Sequence, residues 1–142
     1  MCRSRLLHLL PLHCLLLLSL SHPSHALIGA AARYGPTYQP TACHGRDYSQ
    51  FPTNFMFAAA SDGTWDNGAA CDREYRVKCI RAAAPGACAP GEVVINVKVV
   101  DRMSTAVSRP SLAGANLALS LPAFRAITTG FPQFATIEFV ER

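Results

Sequence analysis

The first 26 residues decide where this chain folds and therefore which bonds can hold it together. Two arginines open a leucine-rich run over residues 6–20, and the small residues Ser24 and Ala26 follow it. A basic start, an apolar centre and a small-x-Ala end are the three parts of a secretory signal peptide. We predict that residues 1–26 are this signal peptide, with a membrane anchor helix as the alternative, and that residues 27–142 form the mature protein.

Removal of the signal peptide changes the chemistry that remains. The net charge falls from +4 to +2, and of the five histidines only His44 is left. Such a nearly neutral domain lacks the dense positive charge that nucleic-acid binding requires. A single histidine in an oxidising compartment does not favour a zinc site either, so we expect no metal and no cofactor. The remaining length suits one domain.

Four cysteines remain in the mature chain, and a secreted domain of this size is expected to pair them. They are Cys43, Cys71, Cys79 and Cys88. Two disulfides would stabilise a small domain whose hydrophobic core is limited. Four cysteines allow three connectivities, and their spacing does not choose among them.

Hydrophobic patterns predict a mainly β domain with one short helix. Glu74–Ile80 is the clearest strand, because apolar Tyr75, Val77 and Cys79 alternate with charged residues. Ser120 is placed to cap a short helix. Four further segments are predicted as strands: residues 28–35, 55–60, 93–100 and 135–140. Several short strands and one helix are typical of a barrel or a sandwich.

The segments between these elements are predicted as irregular. Residues 61–70 contain Asp62-Gly63 and Asn67-Gly68, two strong turn signals. Residues 101–116 are polar and contain a proline and a glycine, so they are predicted as a loop. The predicted helix covers Leu121–Ile127, with a proline in its first turn.

One stretch of sequence resembles the plant natriuretic peptides and their expansin-like, barwin-related relatives. Its core is the Trp-Asp-x-Gly-x-x-Cys motif that ends at Cys71. Further segments are similar along the mature chain: residues 34–43, 58–71, 75–79, 97–101, 119–124 and 137–139. The resemblance implies a six-stranded double-psi β-barrel and secretion to the plant apoplast and cell wall. It also implies that Cys43 pairs with Cys71, which leaves Cys79 to pair with Cys88.

The resemblance also bears on catalysis. Glycoside hydrolysis requires two carboxyl groups, one as acid and one as base or nucleophile. The motif that reads Asp-Leu-Ser in expansins reads Ala118-Leu119-Ser120 here, so Asp101 lacks the partner that the family supplies. We therefore predict that the protein is not an enzyme. A lytic transglycosylase-like activity that uses Asp101 alone is the enzymatic alternative, and a solvated Asp101 at the end of a strand is the structural one.

A ligand groove is predicted from aromatic rings and carboxylates. Flat rings can cover the apolar faces of sugars, and carboxylates can accept hydrogen bonds from their hydroxyl groups. The candidate groove residues are Tyr34, Tyr38, Asp62, Trp65, Asp66 and Asp101. Trp65 is equally consistent with a plug at one end of the barrel, and the two carboxylates near it are consistent with turn formation.

Two functions follow as expectations. The first, implied by the resemblance to natriuretic peptides, is extracellular signalling in water and ion homeostasis and in stress or defence responses. The matching active stretch would be residues 36–71. The alternative is a non-hydrolytic module that binds cell-wall polysaccharide. The expected partner is accordingly a plasma-membrane receptor or a wall polysaccharide, and the mature protein is expected to be a monomer that does not insert into membranes.

Overall fold

The computed structural model describes residues 25–81, 83 and 86–142, so all but the last two residues of the predicted signal peptide lie outside it. The described fold contains six β-strands and two short α-helices. In chain order these are β1 (Leu27–Tyr34), β2 (Phe57–Ala60), α1 (Asp62–Trp65), β3 (Glu74–Cys79), β4 (Val94–Arg102), β5 (Leu117–Ser120), α2 (Leu121–Ile127) and β6 (Phe134–Glu141).

The six strands close into one barrel in the order β1-β5-β2-β4-β3-β6. Strands β1 and β5 are parallel, as are β2 and β4, and the other neighbouring pairs are antiparallel. Closure leaves no strand of the barrel with an unpaired edge. The prediction of a mainly β fold with a six-stranded barrel is confirmed, and the sandwich alternative is wrong.

Strand β5 was not predicted from the hydrophobic pattern. All four of its residues are buried, because the strand runs between β1 and β2 with apolar side chains on both faces. A strand that is buried on both faces shows no alternation of polar and apolar residues, so the hydrophobic pattern does not identify it as a strand.

The prediction of a single helix is also wrong. The segment with two turn signals forms the one-turn helix α1 and then a 3-10 turn over Asp66–Gly68. Asp66 and Asn67 adopt left-handed φ angles of 53° and 51°, which reverse the chain after α1. Asp and Asn tolerate this conformation better than other residues with a side chain, which is why a turn signal is present here.

Strand β4 continues further than predicted, because it contains a bulge. Ala58 of β2 pairs with Val99, but the next residue, Ala59, pairs with Asp101. The extra residue in β4 shifts the register by one and carries the strand on to Arg102. Asp101 is therefore part of the barrel wall and not of a loop.

Alternate residues of these strands pack into two apolar clusters, one on each side of the barrel wall. The inner cluster fills the barrel with large side chains, among them Val77, Val97, Leu117, Leu119, Ile137 and Phe139. The outer cluster lies on the opposite face of β1, β2, β4 and β5, and it includes Ala32, Tyr34, Phe57, Ala59, Val100, Met103, Ala115 and Ala118. Tyr38, Phe51 and Leu112, from the loops, pack over the outer cluster.

Helix α2 has its predicted bounds and its predicted cap. Ser120 Oγ accepts a hydrogen bond from the backbone N–H of Ala123 at 3.3 Å, which satisfies one of the free donors of the first turn. Phe124 and Ile127 extend from the helix into the inner cluster.

Two disulfides tie the loops to the barrel. Cys43 is bonded to Cys71 and Cys79 to Cys88, the pairing that the resemblance implied. The first bond joins the loop before β2 to the segment that leads into β3.

Candidate functional site: a buried aspartate and an open tryptophan cleft

Asp101 is a buried acid at the bulge of β4. Its side chain is 0% exposed, so the interpretation of Asp101 as a solvated residue is wrong. One carboxylate oxygen, Oδ1, accepts hydrogen bonds from the backbone N–H groups of Ala42 and Arg102, both at 2.8 Å. The other oxygen, Oδ2, has no hydrogen-bond partner among the described residues.

Burial is the largest influence on the pKa of Asp101. It raises the pKa of this carboxyl group above the ordinary value for aspartate, although the hydrogen bonds from Ala42 and Arg102 oppose the shift. The pKa of the neighbouring Tyr34 phenol is raised as well. Burial is the largest cause, and the negative charge of Asp101 is the second. The hydroxyl group of Tyr34 is buried and also lacks a partner in the described part of the chain.

A row of alanines separates Asp101 from any second acid in the barrel wall. The strand register places Ala59 opposite Asp101, Ala118 opposite Ala59, and Ala32 opposite Ala118. All three alanines are 0% exposed. The row therefore contains one carboxylate, whereas hydrolysis of a glycoside requires two.

The second part of the site is an open cleft of about 650 Å³ beside helix α1. Three of the predicted groove residues line it: Asp62, Trp65 and Asp66. Its other lining residues include Leu27, Asn67, Arg73, Tyr75, Arg102 and Phe139. Trp65 is partly exposed and at the same time packs against the inner cluster. Trp65 therefore contacts the inner cluster and also lines the cleft.

Both aspartates of the cleft are paired with arginines. Arg102 donates to Asp62 Oδ1 through Nε at 3.0 Å and through Nη2 at 2.8 Å. Arg73 donates to Asp66 Oδ2 at 2.7 Å. These pairs place both guanidinium donors and carboxylate acceptors on the cleft wall.

The six predicted groove residues thus fall into two groups. Asp62, Trp65 and Asp66 line the open cleft. Tyr34 and Asp101 are buried beneath the loops, and Tyr38 covers them: its ring lies 5.2 Å from that of Tyr34, and its hydroxyl oxygen accepts from the N–H of Leu121 at 3.1 Å.

Sequence reasoning missed the two arginines of the cleft. Arg73 lies seven residues after Asp66, and Arg102 lies forty residues after Asp62. Neither spacing corresponds to a local motif. The bulge that carries β4 on to Arg102 brings the second pair together, and a sequence pattern does not reveal such a bulge.

A third polar cluster surrounds the first disulfide. His44 follows Cys43 and Asp72 follows Cys71, and His44 Nε2 donates to Asp72 Oδ1 at 2.6 Å. Lys98 Nζ lies 3.2 Å from the same oxygen. Burial is the largest single influence on this carboxyl group and favours its neutral form, but the donors His44 and Lys98 together outweigh burial and lower the pKa of Asp72.

This lowered pKa predicts an acid-sensitive contribution to stability. A carboxyl group with a lower pKa in the folded state stabilises the fold above its unfolded pKa, and the contribution is lost as the pH falls through the folded pKa. Asp72→Asn should therefore cost about 0.5–1 kcal/mol of unfolding free energy at about pH 7 and almost nothing at about pH 3, because the pair is partly solvated. Urea unfolding of both proteins at the two pH values measures the difference.

Asparagine is the appropriate substitution, because Asp72 has a left-handed φ of 68°. Asp72→Ala serves as the contrast, since it adds a backbone cost that does not depend on pH. A difference between wild type and Asp72→Asn that stays constant from about pH 7 to about pH 3 would contradict the assigned ion pair.

Neither a metal site nor a membrane span is found in the part of the chain that the structure describes. No group of three or more His, Cys, Asp or Glu side chains is placed there to hold an ion. Among the same residues, no helix is long and apolar enough to cross a bilayer.

Comparison with known proteins gives relatives of one kind. No protein-family model matches the chain. An EG45-like domain containing protein of Citrus jambhiri is 36% identical over 123 residues, which cover 84% of this chain and 85% of the relative. A putative EG45-like domain containing protein 1 of Arabidopsis thaliana is 31% identical over 125 residues, which cover 87% of each protein.

Solved structures show the same fold at lower identity. The apo crystal structure of the Clavibacter michiganensis expansin is 24% identical, with a TM-score of 0.56 over 83% of this chain. A mutant of that expansin in complex with cellohexaose matches with a TM-score of 0.57. This chain spans half the length of the bacterial expansin. The sequence relatives show that the chain belongs to the EG45-like domain family, and its barrel has the fold of the expansin structures.

Proposed function

We propose that this protein is a secreted, monomeric and non-enzymatic protein of the plant cell-wall space, and that it binds a neutral glucan chain in the Trp65 cleft. One observation carries the proposal: a partly exposed indole ring faces an open cleft whose walls present carboxylate, amide and guanidinium groups. Sugars have apolar C–H faces and a rim of hydroxyl groups, so they require this combination of a flat ring and paired donors and acceptors.

The structural neighbour supports the choice of ligand class. The Clavibacter michiganensis expansin has been crystallised with cellohexaose, a linear glucan oligomer. That protein is 24% identical to this chain and the match covers half of its length, so the likeness supports a shared fold. Cellohexaose is accordingly the first probe to use for the Trp65 cleft.

The absence of catalysis is proposed from the buried row. Asp101 is 0% exposed and faces alanines, so a polysaccharide has no path to it and no second carboxylate is placed to act with it. The same argument applies to a transglycosylase that would use Asp101 alone, since its acid must touch the glycosidic oxygen.

Secretion is proposed from the N-terminal sequence. Residues 1–26 have the three parts of a signal peptide. Strand β1 begins at Leu27, the first residue after the proposed cleavage site, so removal of the signal would leave the barrel complete.

Trp65→Ala should weaken binding of cellohexaose about tenfold or more, because buried aromatic anchors dominate the energy of such contacts. Isothermal titration of residues 27–142 with cellohexaose measures the change. Trp65→Phe should recover part of the affinity, since it keeps a flat ring. Tyr48→Ala is the matched control, because Tyr48 is 64% exposed and lies outside the cleft. Equal affinity of Trp65→Ala and wild type would exclude this cleft as the glucan site.

Signalling of the natriuretic-peptide kind is the second candidate. It is favoured by the segment from Pro36 to Cys71, which the first disulfide holds in place and which displays Tyr48 and Phe55 at 64% and 48% exposure. A displayed loop with exposed aromatic residues is suited to contact a receptor.

Retention on insoluble cellulose separates the two candidates. Binding without release of reducing sugar would support the glucan-binding function. No retention, together with binding to plant plasma membranes that Tyr48→Ala abolishes, would support the signalling function.

A further inference from the structure

Phe131 lies between two arginines on a surface that the Trp65 cleft does not include. The Cζ atom of Arg33 lies 4.0 Å from the centroid of the Phe131 ring, and that of Arg125 lies 5.0 Å from it. Both distances are within the range of cation–π contacts. The ring itself is 41% exposed.

The charges of these two arginines are not compensated. Within the described part of the chain, no acidic side chain forms a salt bridge with Arg33 or Arg125. The arginines of the Trp65 cleft, in contrast, are both paired. Arg33 donates through Nε to the carbonyl oxygen of Pro132 at 3.1 Å, which orients its guanidinium group and leaves the Nη donors for a ligand.

The exposed ring is held in place at a backbone cost. Phe131 has a left-handed φ of 51°, which is unfavourable for a bulky side chain. Gln133, two residues later, anchors the segment: its carbonyl oxygen accepts from Ser111 Oγ at 2.6 Å, and its Nε2 donates to the carbonyl oxygen of Ser111 at 3.0 Å. These two hydrogen bonds anchor the segment that presents the Phe131 ring to solvent.

Tyr38 extends this surface on the side of Arg125. Its ring is partly exposed, and its hydroxyl oxygen accepts from the N–H of Leu121 at 3.1 Å, so it lies at the start of helix α2, one turn before Arg125. We call Arg33, Tyr38, Arg125 and Phe131 the Phe131 strip. Aromatic rings and guanidinium groups alternate along it.

We propose that the Phe131 strip binds an acidic polysaccharide, that is, a polymer of uronic acid residues. Each uronate offers an apolar ring face for an aromatic side chain and a carboxylate that a guanidinium group can bind through two hydrogen bonds. A small inorganic anion would use the arginines but not the exposed rings. The strip shares no residue with the Trp65 cleft, so this proposal does not depend on glucan binding.

Affinity electrophoresis in gels that contain sodium polygalacturonate tests the proposal. Wild-type residues 27–142 should be retarded, and Arg33→Ala/Arg125→Ala should bind about tenfold more weakly, because two charge-assisted contacts are lost. Arg46→Ala/Arg76→Ala is the matched control. It removes the same charge from two exposed arginines outside the strip and should change the affinity less than about twofold.

Further variants distinguish the strip from general electrostatic attraction. Phe131→Ala keeps both charges and should still weaken binding several-fold. Fully methyl-esterified pectin, whose carboxyl groups carry no charge, should bind weakly to every variant. Arg33→Lys controls for folding, since it keeps the charge, and thermal unfolding verifies each protein. Equal losses in the two double variants, or binding to phosphatidylserine vesicles in place of polygalacturonate, would overturn the proposal. Trp65→Ala should leave polygalacturonate binding unchanged.

Discussion

Ala118→Asp should lower the unfolding free energy by about 3 kcal/mol or more and should create no hydrolase. Ala118 is 0% exposed and lies opposite Ala59, which is itself opposite Asp101. A second carboxylate in this row would be buried among alanines near the first, where two negative charges cannot both be stabilised. Substrate would also have no access to it. Urea unfolding and a reducing-sugar assay on glucan measure the two effects.

The pH dependence identifies the cause of this loss. The new carboxyl group would have a raised pKa in the folded state, so its penalty is present at neutral pH and disappears as the pH falls below its unfolded pKa. Ala118→Asn is the matched control, since it has the same size without the charge. The two variants should differ in stability at about pH 7 and converge at about pH 3. Release of reducing sugar by Ala118→Asp would show instead that the row is open to substrate.

Replacement of Cys43 and Cys71 by alanine should cost about 3.5 kcal/mol, the largest effect expected from a change outside the barrel. The disulfide closes a loop with a sequence separation of 28 residues, and its loss frees the unfolded chain by the corresponding entropy. The segment from Tyr38 to Trp65 should also become sensitive to protease. Thermal unfolding and limited trypsin digestion measure the two results.

The second disulfide provides the comparison. Cys79 and Cys88 are separated by only 9 residues, so their replacement by alanine should cost less, about 2.5 kcal/mol. It should also leave the segment from Tyr38 to Trp65 resistant to protease. Unchanged melting and digestion of the variant without Cys43 and Cys71 would show that this disulfide does not hold the loops.

Asp101 and the Trp65 cleft, the two parts of the candidate site, differ in their access to ligands. Asp101 is enclosed and accepts hydrogen bonds from two backbone N–H groups, so it contributes to the architecture of the bulge. The Trp65 cleft is open and has polar walls, so it can exchange ligands with solvent. A binding function at the cleft is therefore compatible with the loss of a second acid in the barrel wall.

Local patterns in the sequence were sufficient for several elements. The alternation in Glu74–Ile80 predicts a strand because one face of β3 remains in water, and the structure ends that strand only one residue earlier. Ser120 predicts the start of helix α2 because a cap depends only on neighbouring residues. The six strands and the disulfide pairing, in contrast, came from the resemblance, since neither β5 nor the connectivity has a local signal.

By itself, the sequence determined the signal-like N-terminus, the cysteine content and the class of fold, because these depend on composition and on periods of a few residues. Only the tertiary structure decided that Asp101 is buried, that the predicted groove residues separate, and that Arg102 reaches Asp62. These outcomes depend on a bulge and on the order in which the strands close. Both arise from contacts between residues far apart in the chain, whose energies no local pattern records.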